Sequence, residues 1–274
     1  MSTITVRKTK KAENLIVENQ VAVAGTSLDA QLDVVEAASK VTVITGSTKP
    51  AAEVTASNAT IAGRAGNAAV KQVAAGINSV VNSNNTITLS AVKVSGNVYG
   101  GALVLDAKGK IANRGDIGSA VVNGSTAINL NNVISVKSVF GGGAGYGAVS
   151  NGDVTINYNG GKVSTIYGGG DRAAVHGNVN INISAGTNGK VSKIYAGGKN
   201  SDVFGKATVT FSGNGGLYNN FSGTVYGTGQ KGYITGGSEL VFDDYSGEFK
   251  GSVQAFNTVT ISGSSNVIFT KGQH

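Results

Sequence analysis

The sequence predicts an all-β chain wound as a parallel β-solenoid, with coils of about 28 residues and an irregular N-terminal cap region. Three observations carry that prediction. An aliphatic-aromatic phrase, usually followed by glycines, recurs as Val98-Tyr99-Gly100, Val139-Phe140-Gly141, Ile166-Tyr167-Gly168, Ile194-Tyr195-Ala196 and Val225-Tyr226-Gly227, and in degenerate form as Ala255-Phe256. Its aromatic positions lie 41, 27, 28, 31 and 30 residues apart. Segments alternating apolar and polar residues accompany each phrase, and only 5 of the 42 glycines precede residue 91.

Taken in order, residues 1–90 read as a cap or irregular first coils. Thr3 to Val6, Leu15 to Val17, Val21 to Ala24, Val41 to Ile44 and Thr86 to Leu89 have strand patterning. Between them, Ser27 to Ala38 places Leu28, Leu32 and Val35 at helical spacing after a Ser27 cap, and Ala68 to Val81 reads equally as helix or strand. Residues 91–274 read as the solenoid repeats. Their strands are expected at Ala127 to Leu130, Val154 to Tyr158, Val179 to Ile183, Ala207 to Phe211, Leu240 to Phe242 and Thr258 to Ile261. Period-two alternation buries one face and solvates the other, and a coil of two or three such strands buries its face only by stacking on its neighbours. A β-propeller blade needs four strands in about 40–50 residues, longer than the observed spacing.

Composition narrows the chemistry. The chain lacks cysteine, which removes disulfides and thiolate chemistry, and it holds only His176 and His274, too little for histidine-rich metal or triad sites. The net charge of +7 is spread thinly apart from Arg7, Lys8, Lys10 and Lys11, without the aromatic-interleaved basic face of a nucleic-acid binder, so no nucleic-acid partner is expected. No apolar run reaches the roughly 18 residues of a membrane span. Charges from Arg7 to Glu13 stand where a signal-peptide core would begin, which leads us to expect a fragment or a mature form.

The candidate binding residues are the aromatic column Tyr99, Phe140, Tyr167, Tyr195 and Tyr226. Residues two apart on a strand share a face, so each ring falls on the side of the polar Asn97, Ser138, Thr165, Lys193 or Thr224 and opposite the apolar residue just before it. Facing out, the column offers flat rings to sugars or to another protein; if the glycines mark a corner, the rings turn in or lie flat on their neighbours. Thr-x-Thr pairs at Thr86/Thr88, Thr208/Thr210 and Thr258/Thr260 suggest an ice-binding array, but Thr155/Asn157 and Asn180/Asn182 interrupt it. Asp106, Asp116, Asp153, Asp171, Asp202, Glu239, Asp243, Asp244 and Glu248 share no phase of the repeat, and Asp171-Arg172 with nearby His176 reads as a salt-bridged corner. No catalytic residue, metal ligand or cofactor is assigned. Gly141 to Gly147 lacks the following helix of a phosphate loop.

Ile166-Tyr167-Gly168-Gly169-Gly170 leading to Val175-His176-Gly177-Asn178-Val179-Asn180-Ile181-Asn182-Ile183, and Phe242-Asp243-Asp244-Tyr245-Ser246-Gly247 leading to Phe256 through Gly263, resemble the passenger domains of bacterial autotransporters and related surface adhesins, over roughly residues 91–270. The resemblance implies a right-handed parallel β-helix displayed outside a bacterial cell, working as an adhesin, stalk, matrix component or self-assembling filament. Its partners would be a host or bacterial surface glycan or protein; separately, the strand-rich stretch Asn266 to Thr270, with no obvious cap, suggests end-to-end association of copies through uncovered terminal coils. Two alternatives stand beside it: a β-helix polysaccharide lyase or hydrolase, and a phage or surface-layer structural protein.

Overall fold

The computed structural model describes residues 73–271 except 83, 92, 117, 185–188 and 215–220, together with the backbone of the strands between residues 3 and 72. Among the described residues every regular element is a strand, in two 11-stranded sheets and one of four strands. The first sheet runs through Asn85–Ser90, Thr126–Asn131, Val154–Tyr158, Val179–Ser184, Ala207–Asn214, Ser238–Phe249 and Thr258–Ser262. The second runs through Gln72–Ile77, Lys93–Leu103, Val133–Phe140, Gly161–Tyr167, Lys190–Tyr195, Thr224–Tyr226 and Ser252–Gln254. The third holds Val80–Val81, Ala120–Val122, Ala148–Ser150 and Ala174–Val175, and continues as single bridges through Val203 and Ile234. The chain visits the three in turn, and each strand pairs parallel with its counterpart one coil later, which is a parallel β-solenoid.

Alternation explains the strands. Ile87, Ile128, Ile156, Ile181, Val209 and Leu240 lie in register, every one fully buried, while the residues between them face outward. Val98, Val139, Ile166, Ile194 and Val225 build the facing column from the second sheet. Burying each such side chain is worth about 1.5–3 kcal/mol, so one column supplies a continuous core that no single coil could hold.

Spacing between coils varies. Thr88, Asn129, Asn157 and Asn182 are stacked neighbours separated by 41, 28 and 25 residues. The long step contains residues 104–119, an excursion closed by an antiparallel bridge between Leu105 and Ile111. Asp106 shapes its turn, accepting from the backbone N–H groups of Lys108 and Lys110 at 2.8 Å each.

Ahead of the coils the pairing changes sense. Leu32–Ala37 pairs antiparallel with Thr3–Val6 and Asn58–Gly63, and Asn14–Glu18 pairs antiparallel with Val21–Ala24 and Val41–Ile44. Parallel pairing first appears between Asn58–Gly63 and Asn85–Ser90 and between Gln72–Ile77 and Lys93–Leu103. The helical spacing of Leu28, Leu32 and Val35 is therefore overruled where it can be followed: Leu32–Ala37 is a strand, as are Ala69–Val70, Gln72–Ile77 and Val80–Val81. Adjacent β-branched Val34 and Val35 favour extended backbone, and strand pairing outweighs a three-residue apolar coincidence. Residues 27–31 and the basic residues Arg7, Lys8, Lys10 and Lys11 lie outside the described residues.

Two features of the last coils depart from the repeat. Register places Gln254, not Phe256, opposite Tyr226, and Val253 opposite Val225. Ala255-Phe256 is thus not a sixth copy of the aromatic phrase; Phe256 packs against the main core instead. The chain then passes directly from Ser252–Gln254 to Thr258–Ser262 without a third-sheet segment. Thr258–Ser262 and Asn266–Phe269 both pair with the long strand Ser238–Phe249, leaving Val259, Ile261 and Ile268 about half exposed.

Candidate functional site

The five aromatic residues come together in one stack. Tyr99 lies 5.0 Å from Phe140, Phe140 4.7 Å from Tyr167, Tyr167 5.0 Å from Tyr195 and Tyr195 4.5 Å from Tyr226, measured between ring centroids. Interplanar angles of 14°, 5°, 5° and 6° make the rings nearly parallel plates of a single pile. In-register parallel pairing produces this, since neighbouring strands are spaced about 4.7–4.9 Å apart, close to a comfortable ring-stacking distance.

The rings project from the side of the second sheet opposite the main core, as the alternation requires, but they are covered there. Tyr99, Phe140, Tyr167 and Tyr195 are 2, 1, 7 and 8% exposed, and Tyr226 is partly buried. They form a second apolar cluster with Ala74, Ile77, Leu103, Leu105 and Ala144, and Ile111 from the excursion packs against it. Glycine makes the covering corner. The backbone N–H of Gly168 donates to the Tyr195 carbonyl at 2.9 Å, continuing the parallel ladder through the bend. A Cβ on Gly168 would run into the Ala196 carbonyl and the Val179 side chain.

What the ladder presents is therefore edges and hydroxyls. Asn97 Nδ2 donates to the Tyr99 hydroxyl at 2.8 Å, and the Tyr167 hydroxyl donates to Gln230 Oε1 at 2.9 Å. Burial pushes the Tyr99 phenol up to about 12, and burial likewise raises Tyr167 and Tyr195, each helped by the neighbouring phenol. A ring with neighbours on both faces has no face left to lay on a sugar. The two end rings are stacked on one side only: Tyr99, 2% exposed, is bordered on the other by Ala74, and the partly buried Tyr226 by Gln254.

The Asp171 corner is a local tie. Asp171, buried between coils, accepts from Asn200 Nδ2 at 2.9 Å and pairs with Lys199 Nζ at 3.4 Å and Arg172 Nε at 3.7 Å. Arg172 also donates to Asn113 Oδ1 at 2.7 Å. His176 turns to a different partner, edge-on to Phe204 at 5.1 Å. Asp243 and Asp244 are each engaged by the following turn, Asp243 by the Ser262 hydroxyl and Asp244 by the Ser264 backbone N–H, both at 2.8 Å.

The outward polar columns of the first sheet form hydrogen-bonded ladders. Asn129 donates to Thr88 at 3.1 Å, Asn157 to Asn129 at 2.8 Å and Asn182 to Asn157 at 2.8 Å. Asn159 donates to Asn131 at 2.8 Å in a parallel row, and at the ends of the third-sheet strands Asn151 donates to Asn123 at 2.8 Å. The charges on the strands segregate by sheet. From Asn85 onward the second-sheet strands carry Lys93, Lys137, Lys162, Lys190 and Lys193 and no acid, whereas the first-sheet strands carry Glu239, Asp243, Asp244 and Glu248 and no base.

No family model, curated protein or solved structure matches the chain. Among the described residues there is no group of three or more His, Asp or Glu side chains placed to hold a metal, and no helix long and apolar enough to cross a membrane.

One concave feature escapes the sequence reading. A groove of about 480 Å³ lies along the corner loop 227–234, walled on its other side by Ala255 and Asn257. The corners at Gly141, Gly168 and Ala196 each donate to the coil that follows, as Gly227 does to Gln254, but that last coil omits its third-sheet segment and leaves Gln230, Lys231 and Tyr233 exposed. The signal was present in the sequence as the short interval between Gln254 and Thr258, but reading Phe256 as a repeat aromatic concealed it.

Proposed function

We propose that this chain is a non-enzymatic, extracellular β-solenoid of a bacterial surface protein, of the autotransporter-passenger kind, doing adhesive or structural work as a stalk, matrix component or self-assembling filament. The observation that carries the reading is the in-register stacking of like residues from coil to coil. It makes a stiff rod on which each outward column offers the same contact repeatedly, so that weak contacts sum by avidity. The carboxylates of the repeat region support a structural rather than a catalytic use, because Asp171, Asp243 and Asp244 are each engaged within the corner or turn they stabilise. The filament variant draws on the apolar final strands, where Val259, Ile261 and Ile268 present an unshared strand edge to a second copy.

Binding of the purified chain to a glycan array and to intact bacterial and host cells tests the adhesive reading. Tyr167→Ala and Tyr195→Ala variants that stay folded and bind as the wild type does would remove the aromatic column as the contact surface. Absence of binding to every glycan and cell, together with a strict monomer by light scattering at high concentration, would remove both adhesion and assembly.

A further inference from the structure

We infer that the groove beside loop 227–234 is a binding site for a carboxylated sugar unit of an acidic polysaccharide. The inference rests on the reading of the chain as a binding surface and makes that reading specific. Three kinds of group converge on the groove, and their chemistry selects the ligand.

The first is a pair of oriented amides. Gln230 Oε1 accepts the Tyr167 hydroxyl at 2.9 Å, and Asn257 Oδ1 accepts both the backbone N–H of Ser238 at 2.7 Å and its hydroxyl at 3.2 Å. With both oxygens engaged, each amide keeps its NH₂ for a ligand, and both residues are exposed on the groove wall. What they offer a ligand is donors. The aromatic stack thereby contributes to the site without touching the ligand, because Tyr167 sets the direction of Gln230.

The second is a cation. Lys231 lines the groove, is exposed and forms no ion pair with a described residue, unlike its neighbour Lys199, which is bound to Asp171. The third is an aromatic platform. Tyr233 is 79% exposed, the most exposed large apolar side chain among the described residues. Its backbone is nevertheless fixed on both sides: its N–H donates to Asp202 Oδ1 at 2.9 Å and its carbonyl accepts from the Val203 N–H at 2.9 Å. A ring on a fixed backbone has only two side-chain torsions to order when a flat partner lies on it.

Two neutral donors, one cation and one ring match a pyranose that carries a single carboxylate and several hydroxyl acceptors. They match a nucleic acid poorly, since tracking a phosphate backbone calls for a row of cations and this groove has one. Glycine at positions 227, 229 and 232 lets the loop pack closely on its neighbours, since a Cβ at any of the three would run into the backbone of Ala255, Gly198 or Ser201.

The test is calorimetric titration of the full chain with alginate, methyl-esterified alginate, dextran, dextran sulfate and a single-stranded oligonucleotide, repeated with Lys231→Gln and Tyr233→Ala. Both residues are exposed, and an unchanged far-ultraviolet dichroism spectrum checks that each variant folds. Alginate binds, while esterification and either substitution weaken it at least about tenfold, the effect expected from losing a charged hydrogen bond or a stacked ring. Equal binding of the ester, of dextran sulfate or of the oligonucleotide, unchanged binding by both variants, or no binding of alginate overturns the inference. Adhesion of the wild type to cells without alginate binding overturns the groove alone; alginate binding without adhesion keeps the groove and removes the surface reading.

Discussion

Replacing Phe140 by alanine probes the aromatic stack where it is most enclosed. Phe140 is 1% exposed and has a ring 5.0 Å away on one face and 4.7 Å away on the other. Truncating a buried Phe costs roughly 3–5 kcal/mol, part of it the two ring pairs at about 0.5–1.5 kcal/mol each. Tyr226 is the natural comparison, since it is only partly buried and stacks on one ring, at 4.5 Å. Its truncation should cost about 1–2.5 kcal/mol, from one pair and partial burial. With a urea dependence of about 2.5 kcal/mol per M, Phe140→Ala lowers the unfolding midpoint by about 1.6 M and Tyr226→Ala by less than about 1 M. The assay is urea unfolding followed by far-ultraviolet dichroism on the wild type and both variants. Equal shifts would refute the argument, because they would mean that the middle and the end of the pile are equally supported.

Other expectations follow from the same structure. Because the folded Tyr99 phenol is held near 12 while an unfolded phenol ionises near 10, the folded state keeps a proton that the unfolded state loses; stability is intact below pH 10 and falls by about 2–3 kcal/mol as pH rises to 12, which combined phenolate absorbance and dichroism would follow. Tyr245, also raised to about 12 by burial, adds to the same window, and full phenolate formation at pH 10.5 with the fold retained would contradict it. Asn157→Ala breaks two ladder hydrogen bonds at 2.8 Å and costs about 1–2 kcal/mol, a fall of roughly 2–8 °C in melting temperature, whereas Asn180→Ala on the same face changes stability by less than about 0.5 kcal/mol. Paired Val259→Lys and Ile261→Lys substitutions abolish any concentration-dependent light scattering of the wild type while leaving its dichroism unchanged; scattering that persists would place the contact elsewhere.

Much of the fold could be read from period-two alternation. Val154–Tyr158 appears in the structure with the bounds its pattern predicts, because a half-buried strand writes its two faces directly into the sequence. The third sheet left no such trace: Ala120–Val122, Ala148–Ser150 and Ala174–Val175 are too short for alternation to register. The aromatic column was legible as a column and as lying opposite Val98, Val139, Ile166, Ile194 and Val225. Its burial stood in the sequence only as one of two alternatives, the glycine corner that lays the rings on their neighbours, because Leu105 and Ile111 reach the cluster from an excursion of irregular length. Phe256 shows the opposite limit. A spacing of 30 residues matched the repeat while the hydrogen-bond register had already moved to Gln254.

The aromatic pile is also asymmetric end to end. Beyond Tyr99 the register continues to the buried Ala74 of the same apolar cluster, and beyond Tyr226 it gives way to the polar Gln254. Each inner ring can loosen only after the one beyond it has left, so melting has an easy end and a hard end. The rod should therefore unravel as a zipper with a single slider, the coil at Tyr226 opening first and the coil at Tyr99 last. Amide protons along the second sheet would then exchange in that order, giving the molecule a direction in time as well as in space.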